Sequence, residues 1–157
     1  GIETITDLGC GDGYNISLLD FKGSYYGYDI SKHIIDVLNA RNTNKKFHFK
    51  PLVSKVDYQN IEASNLSISM DVILHLVNED DYENYMESLF NSAQKYVGIF
   101  TTSRNRNKKN MAWHNFYRNE KKWILDKRPN WKLIYEFKPD RKLGFPKGTS
   151  FTFWENK

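Results

Sequence analysis

The sequence predicts an α/β architecture: a mostly parallel sheet with helices on both faces. Three observations carry this. Residues 3–8 form a short β-prone run that ends in a glycine-rich turn, Asp7-Leu8-Gly9-Cys10-Gly11-Asp12-Gly13, and opens onto a stretch with helical spacing. A second β-prone run, Tyr25-Tyr26-Gly27-Tyr28, ends in Asp29, twenty residues after Gly9. From there β-prone and helical segments alternate until two alternating runs at the end suggest a hairpin.

In chain order, Ile16, Leu18, Leu19 and Phe21 predict a first helix over 14–21. Ser31 is placed to cap a second helix, with Ile34, Ile35, Val37 and Leu38 on its buried side, fading at 41–44. Phe47 to Phe49 read as a third strand stopped by Pro51, and residues 52–65 as a connection with one helical turn. Leu66, Ile68 and Met70 alternate with Ser67 and Ser69 in a fourth strand, with a turn over 71–76. Asn78 is placed to cap a helix whose first turn holds Asp80, Asp81 and Glu83, acids that oppose the positive end of the helix dipole. Residues 96–101 are an apolar fifth strand, 103–110 a polar loop, and 116–127 a helix stopped before Pro129. Residues 131–138 and 150–154 alternate, and Gly144, Pro146 and Gly148 supply the turn between them.

A strand, a glycine turn and a helix in that order place backbone N–H groups at the carboxyl end of a strand, where nucleotide-like ligands bind. The spacing selects among such ligands. A dinucleotide fingerprint wants glycine at 9, 11 and 14, but position 14 is Tyr. Asp7 and Asp12 flank the turn and would repel a pyrophosphate; they would attract a ligand carrying an ammonium and a sulfonium, such as S-adenosylmethionine. Asp29, at the tip of the second strand, can accept both ribose hydroxyls, with Ile30 against the adenine face and Ser31 following.

On these residues the chain resembles the class I, Rossmann-like S-adenosylmethionine-dependent methyltransferases. Asp7 to Gly13 match their first motif, Tyr26-Gly27-Tyr28-Asp29 their second, and residues 66–102 their fourth strand and the helix after it. The resemblance implies a seven-stranded sheet of order 3-2-1-4-5-7-6 with the last strand antiparallel. It also implies S-adenosylmethionine as cofactor, S-adenosylhomocysteine as product, and cofactor contacts from Asp7, Gly9, Cys10, Gly11, Gly13, Tyr14, Asp29, Ile30, Ser31, Ser69 and Met70. Two departures stand out. The acid that in relatives follows the third strand and meets the adenine amino group is replaced by Lys50-Pro51-Leu52-Val53. Relatives also carry helices before the first strand, and this sequence begins almost at that strand, so residues 1–157 are expected to form one domain whose lid is absent, supplied by another subunit, or built from the segment after the fifth strand.

The cofactor brings its own neutral leaving group, so a general base is needed only for a protonated amine or an alcohol of high pKa, and histidine is the usual choice. His75, beyond the fourth strand, and His114, beyond the fifth, are the candidate bases; Asp71, Tyr117 and Arg118 are candidate acceptor contacts. Each also has a plainer reading as a cap, packing or surface residue. No metal-ligand constellation is expected, since Asp71, Asp80 and Asp81 are better used in turns and caps.

Composition narrows the class further. With 39% hydrophobic and 15% aromatic residues the chain is globular rather than disordered. No apolar stretch approaches the roughly 18 residues that would span a membrane, and the start shows no secretion signal. One cysteine excludes an internal disulfide, and a cytoplasmic setting is expected. Residues 1–100 carry 8 Lys/Arg against 14 Asp/Glu, and residues 101–157 carry 15 against 5. The basic excess over 104–132 reads either as a footprint for nucleic acid or an acidic substrate, or as a solvated face. An Asn- or Asp-Pro-Pro-aromatic segment, as in amino-methylating DNA enzymes, is absent, since Ser69-Met70-Asp71-Val72 stands there; a Pro-Cys nucleophile is absent too. The expected function is methyl transfer to an oxygen or nitrogen of a small molecule. The alternatives are an RNA or protein methyltransferase using residues 104–132, and a catalytically silent cofactor-binding domain.

Overall fold

The computed structural model describes residues 1–53, 55–103 and 115–157. Its strands are β1 (Thr4–Leu8), β2 (Ser24–Asp29), β3 (Phe47–Pro51), β4 (Ser64–Met70), β5 (Ala93–Thr102), β6 (Trp131–Phe137) and β7 (Thr149–Asn156). The helices are α1 (Tyr14–Ser17), α2 (Lys32–Arg41), α3 (Lys55–Gln59), α4 (Glu79–Asn91) and α5 (Glu120–Lys127). One seven-stranded sheet has the order β3-β2-β1-β4-β5-β7-β6, parallel through its first five members, with β7 antiparallel to both of its neighbours.

Local chemistry accounts for most of these elements. The Ser31 hydroxyl accepts from Ile34 N–H at 3.3 Å and starts α2. Asn78 Oδ1 accepts from the N–H groups of Asp80 and Asp81 at 2.8 and 3.2 Å and starts α4. The central strands are buried on both faces, and the serines of β4 are tolerated there because each finds a partner. Ser64 bonds Thr6 at 2.8 Å and Ser67 bonds Ser92 at 2.9 Å. The Tyr85 hydroxyl donates to Leu8 O at 2.6 Å and shares a hydrogen bond with Ser69 at 2.7 Å.

Two helices differ from the sequence expectation. The first stops at Ser17 instead of running to 21, because Gly13 gives it no side-chain cap and Leu18 and Leu19 face solvent, leaving no buried stripe to reward propagation. The helix expected over 116–127 begins at Glu120, where Asn119 Oδ1 accepts from Lys122 N–H at 3.0 Å. Phe116 is drawn away from helical geometry by a 2.7 Å bond from its N–H to Leu74 O.

Side chains of α4 and α5 form one buried cluster with Leu8, Val97, Ile99 and Trp154; Ile16 of α1 and Ile35 of α2 form another with Ile5, Tyr25, Phe49 and Leu66 on the opposite face. Coverage is asymmetric. In β5 and β7 the residues facing the first cluster are sealed, Val97, Ile99 and Trp154 being at most 1% exposed. Tyr135 and Phe137, in cross-strand register with Phe153 and Phe151 on the other face, are 57% and 52% exposed, so no described helix covers that end of the sheet.

Candidate active site

The carboxyl ends of β1, β2 and β4 converge on the glycine turn. Gly9 N–H and Cys10 N–H both donate to Tyr28 O, at 2.7 and 2.9 Å, which ties the turn to the end of β2. Gly11 N–H donates to Asp29 Oδ2 at 3.0 Å, and Ser31 N–H donates to Asp29 Oδ1 at 2.9 Å. Each carboxylate oxygen thus spends one acceptor site on orientation and keeps capacity for a hydroxyl. Asp29 and the turn form one crevice. Leu52 N–H donates to Asp29 O at 2.9 Å and brings the chain after β3 to the same edge.

Close packing explains the glycine at position 9. Gly9 has φ +88°, and a Cβ there would lie 2.2 Å from Val72 Cγ2. Val72, just past β4, therefore closes over the turn. Cys10 turns its side chain into the core, where a Cβ on Gly27 would sit 3.0 Å from its sulfur. Burial, with Asp7 nearby, pushes the thiol pKa up, so Cys10 contributes packing and backbone rather than a thiolate.

Asp7 and Asp12 do not stand as two free charges beside the turn. Asp12 Oδ1 accepts from Tyr14 N–H at 3.0 Å and shapes the entry to α1, with Tyr14 exposed at the rim. Asp7 is 1% exposed and accepts from the Tyr25 hydroxyl at 2.7 Å, while its Oδ1 is buried with no partner. Burial lifts its pKa to about 7; the Tyr25 hydrogen bond opposes the rise and the Asp29 charge adds to it.

A cavity of about 850 Å³ opens beside the crevice; its lining includes Ile30, Leu52, Val53, Tyr58, His75 and Asp81. Its size suits a nucleoside-sized ligand. Ile30, 73% exposed, offers an apolar face there. Burial raises the Tyr58 pKa, and the charges of Asp81 and Asp29 raise it further, so the phenol lies within electrostatic reach of both carboxylates. Sequence reasoning missed Tyr58, Leu52, Val53 and Asp81. Residues 52–65 show no clear periodicity, and nothing local signals that α3 would face Ile30.

The turn after β4 is constrained. Ser69 is fully buried, and Asp71 is held at φ 61°, with its N–H donating to Phe100 O at 2.8 Å. Partial burial raises the Asp71 pKa, and the nearby His75 opposes the rise. His75 itself lines the cavity with Ile30, Leu52 and Val53. His114 lies outside the described residues. Tyr117 is half-buried.

Arg118, expected at an acceptor, is instead engaged in the scaffold. Its Nε and Nη2 donate to Glu79 Oε2 at 3.0 and 2.9 Å, Nη1 donates to Leu76 O, and the guanidinium lies 4.3 Å from the Tyr82 ring centre and 4.4 Å from that of Phe116. With the Phe116 N–H bond to Leu74 O, these contacts pin the backbone on both sides of His75. Other cations of 115–132 are also paired: Lys121 with Glu136 at 2.7 Å, Lys122 with Asp126, and Arg128 with Glu87. Glu120, 1% exposed, accepts from the Ser103 hydroxyl, and burial raises its carboxyl pKa. Among the described residues, no group of three or more His, Cys, Asp or Glu is placed to hold a metal ion, and no helix is long and apolar enough to cross a membrane.

A family model described as a methyltransferase domain matches residues 5–95. Similar solved structures include a SAM-dependent methyltransferase from Methanosarcina mazei, at 13% identity and TM-score 0.68, covering 98% of this chain and 92% of that one. The methyltransferase domain of bacterial CtHen1 matches at 18% identity and TM-score 0.70, with 98% and 90% covered. Magnesium protoporphyrin IX methyltransferase from Synechocystis PCC 6803, with bound SAM, matches at 15% identity and TM-score 0.67, with 98% and 69% covered. The chain spans only 50% of another neighbour, mitomycin 7-O-methyltransferase. No curated protein matches the sequence.

Proposed function

The chain belongs to the class I S-adenosylmethionine-dependent methyltransferases, and from that premise we propose that it moves the cofactor's methyl group to an oxygen or nitrogen of a small-molecule acceptor. The reading is carried by Asp29, whose carboxylate is oriented by Gly11 N–H and Ser31 N–H, so that the glycine loop and the end of β2 meet at one acceptor group next to Ile30 and the cavity it lines. The residues fit the cofactor. Asp29 retains acceptor capacity for two ribose hydroxyls, Ile30 offers an apolar face, and Asp7 Oδ1 lacks a partner beneath the turn. When bound, the cofactor supplies an activated methyl on a cationic sulfur.

The chain's own residues align and enclose. Val72 closes over Gly9, and Asp71, at positive φ with its N–H bonded to Phe100 O, turns the chain out of β4 toward that contact. Holding nucleophile, methyl and sulfur in line is worth roughly 7 to 11 kcal/mol in well-oriented reactions. His75, which lines the cavity with Asp71 nearby, remains the candidate to take the acceptor's proton.

The small-molecule reading is supported by the pairing of four of the six cations on 115–132, Arg118, Lys121, Lys122 and Arg128, with carboxylates, which reduces the positive charge offered there to a polyanion. Two of the neighbours are by name methyltransferases for mitomycin and magnesium protoporphyrin IX. Incubation with methyl-labelled cofactor and a cell extract, fractionated by size, tests the reading. Label in the low-mass fraction supports it. Label confined to RNA or protein, or no label despite cofactor binding, contradicts it.

A further inference from the structure

Adenine carries a 6-amino group, two N–H donors that seek an acceptor when the base leaves water. Residues 50–53 carry no acid, and Asp57, the first acid downstream, already has Oδ2 engaged by Val53 N–H at 2.9 Å. Two carboxylates line the cavity that Ile30, Leu52 and Val53 share, Asp81 and Glu87. Glu87 lies further along α4 and is paired with Arg128. Asp81 sits in the first turn of α4; its N–H is satisfied by Asn78, and its carboxylate has no hydrogen-bond or ion-pair partner among the described residues. Tyr58 and Leu52 line the same cavity as Asp81, and Leu52 N–H donates to Asp29 O at 2.9 Å, which joins that cavity to the end of β2.

We propose that Asp81, reaching in from α4, accepts a hydrogen bond from the adenine 6-amino group and so selects adenosine over other nucleosides at the cofactor site. This rests on the reading that the crevice holds S-adenosylmethionine. It assigns to the helix after the fourth strand a recognition role for which residues 50–53 carry no acid.

The test is calorimetry with S-adenosylhomocysteine and an analogue bearing hydrogen in place of the 6-amino group. The wild type should prefer the amino form by about tenfold, Asp81→Ala should bind the two within about twofold of each other, and Asp81→Asn should fall between, since its carbonyl still accepts. Asp81 is exposed, and far-UV circular dichroism checks that both variants keep the fold. A preference in Asp81→Ala equal to that of the wild type, or a wild type indifferent to the amino group, overturns the proposal while leaving cofactor binding intact. A wild type that binds neither compound removes the cofactor reading and this inference with it.

Discussion

Beneath the glycine turn the Tyr25 hydroxyl donates a 2.7 Å hydrogen bond to Asp7 Oδ2, while Asp7 Oδ1, equally buried, meets no partner. Burial lifts the Asp7 carboxyl from 3.8 to about 7 despite that bond. The folded protein therefore holds a proton where the unfolded chain has already released it, so stability falls as pH rises from about 4 through 7. Asp7→Asn keeps an acceptor for Tyr25 and removes the titration. In urea unfolding without cofactor the variant should match the wild type near pH 4 and exceed it at pH 8 by up to about 4 kcal/mol. A difference that does not change with pH would refute the assignment.

Val72 packs directly against Gly9, leaving no room for a Cβ, and position 9 combines that contact with φ +88°. Gly9→Ala should cost about 2 kcal/mol or more, from overpacking and from backbone strain in the left-handed region. Adding Val72→Ala relieves the first cost and not the second. Denaturant titrations should show partial recovery in the double variant; full recovery or none would contradict this division.

Arg118 is 9% exposed in its side chain and Glu79 is 66% exposed, so the ion pair between them is the minor part of the clamp. Glu79→Ala should cost less than about 1 kcal/mol. Arg118→Ala, which abandons the Leu76 carbonyl and the stacking on Tyr82 and Phe116, should cost about 2 to 4 kcal/mol. Equal losses in thermal or chemical unfolding would show that the ion pair dominates.

Cations already held by carboxylates release few counterions. Neutralising Lys121 and Lys122 with Gln should therefore leave any affinity for RNA at low salt unchanged, as measured by fluorescence anisotropy. A steep loss of binding in that variant would favour the nucleic-acid reading.

Features governed by near neighbours in the chain are legible in the sequence itself. Ser31 and Asn78 announce α2 and α4 because a cap is a contact across two or three residues. The turn at 9–13 and Asp29 are legible because two parallel neighbouring strands place their ends side by side. Residues whose roles depend on distant partners are not. Asp7 has the sequence context of an exposed charge, yet Tyr25 and the core enclose it; Arg118 has that of an acceptor contact, yet Glu79, Tyr82 and the Leu76 carbonyl claim it. Leu18 and Leu19 have the spacing of a buried stripe, but no described element stands where they point.

Calorimetric titration with S-adenosylmethionine, wild type against Asp29→Ala, bears most directly on the crevice. The account predicts saturable one-to-one binding by the wild type and a loss of about tenfold or more in the variant, which gives up the ribose acceptors and the tether to Gly11 and Ser31. Absence of saturable binding by the wild type, or unchanged affinity in Asp29→Ala, would contradict it.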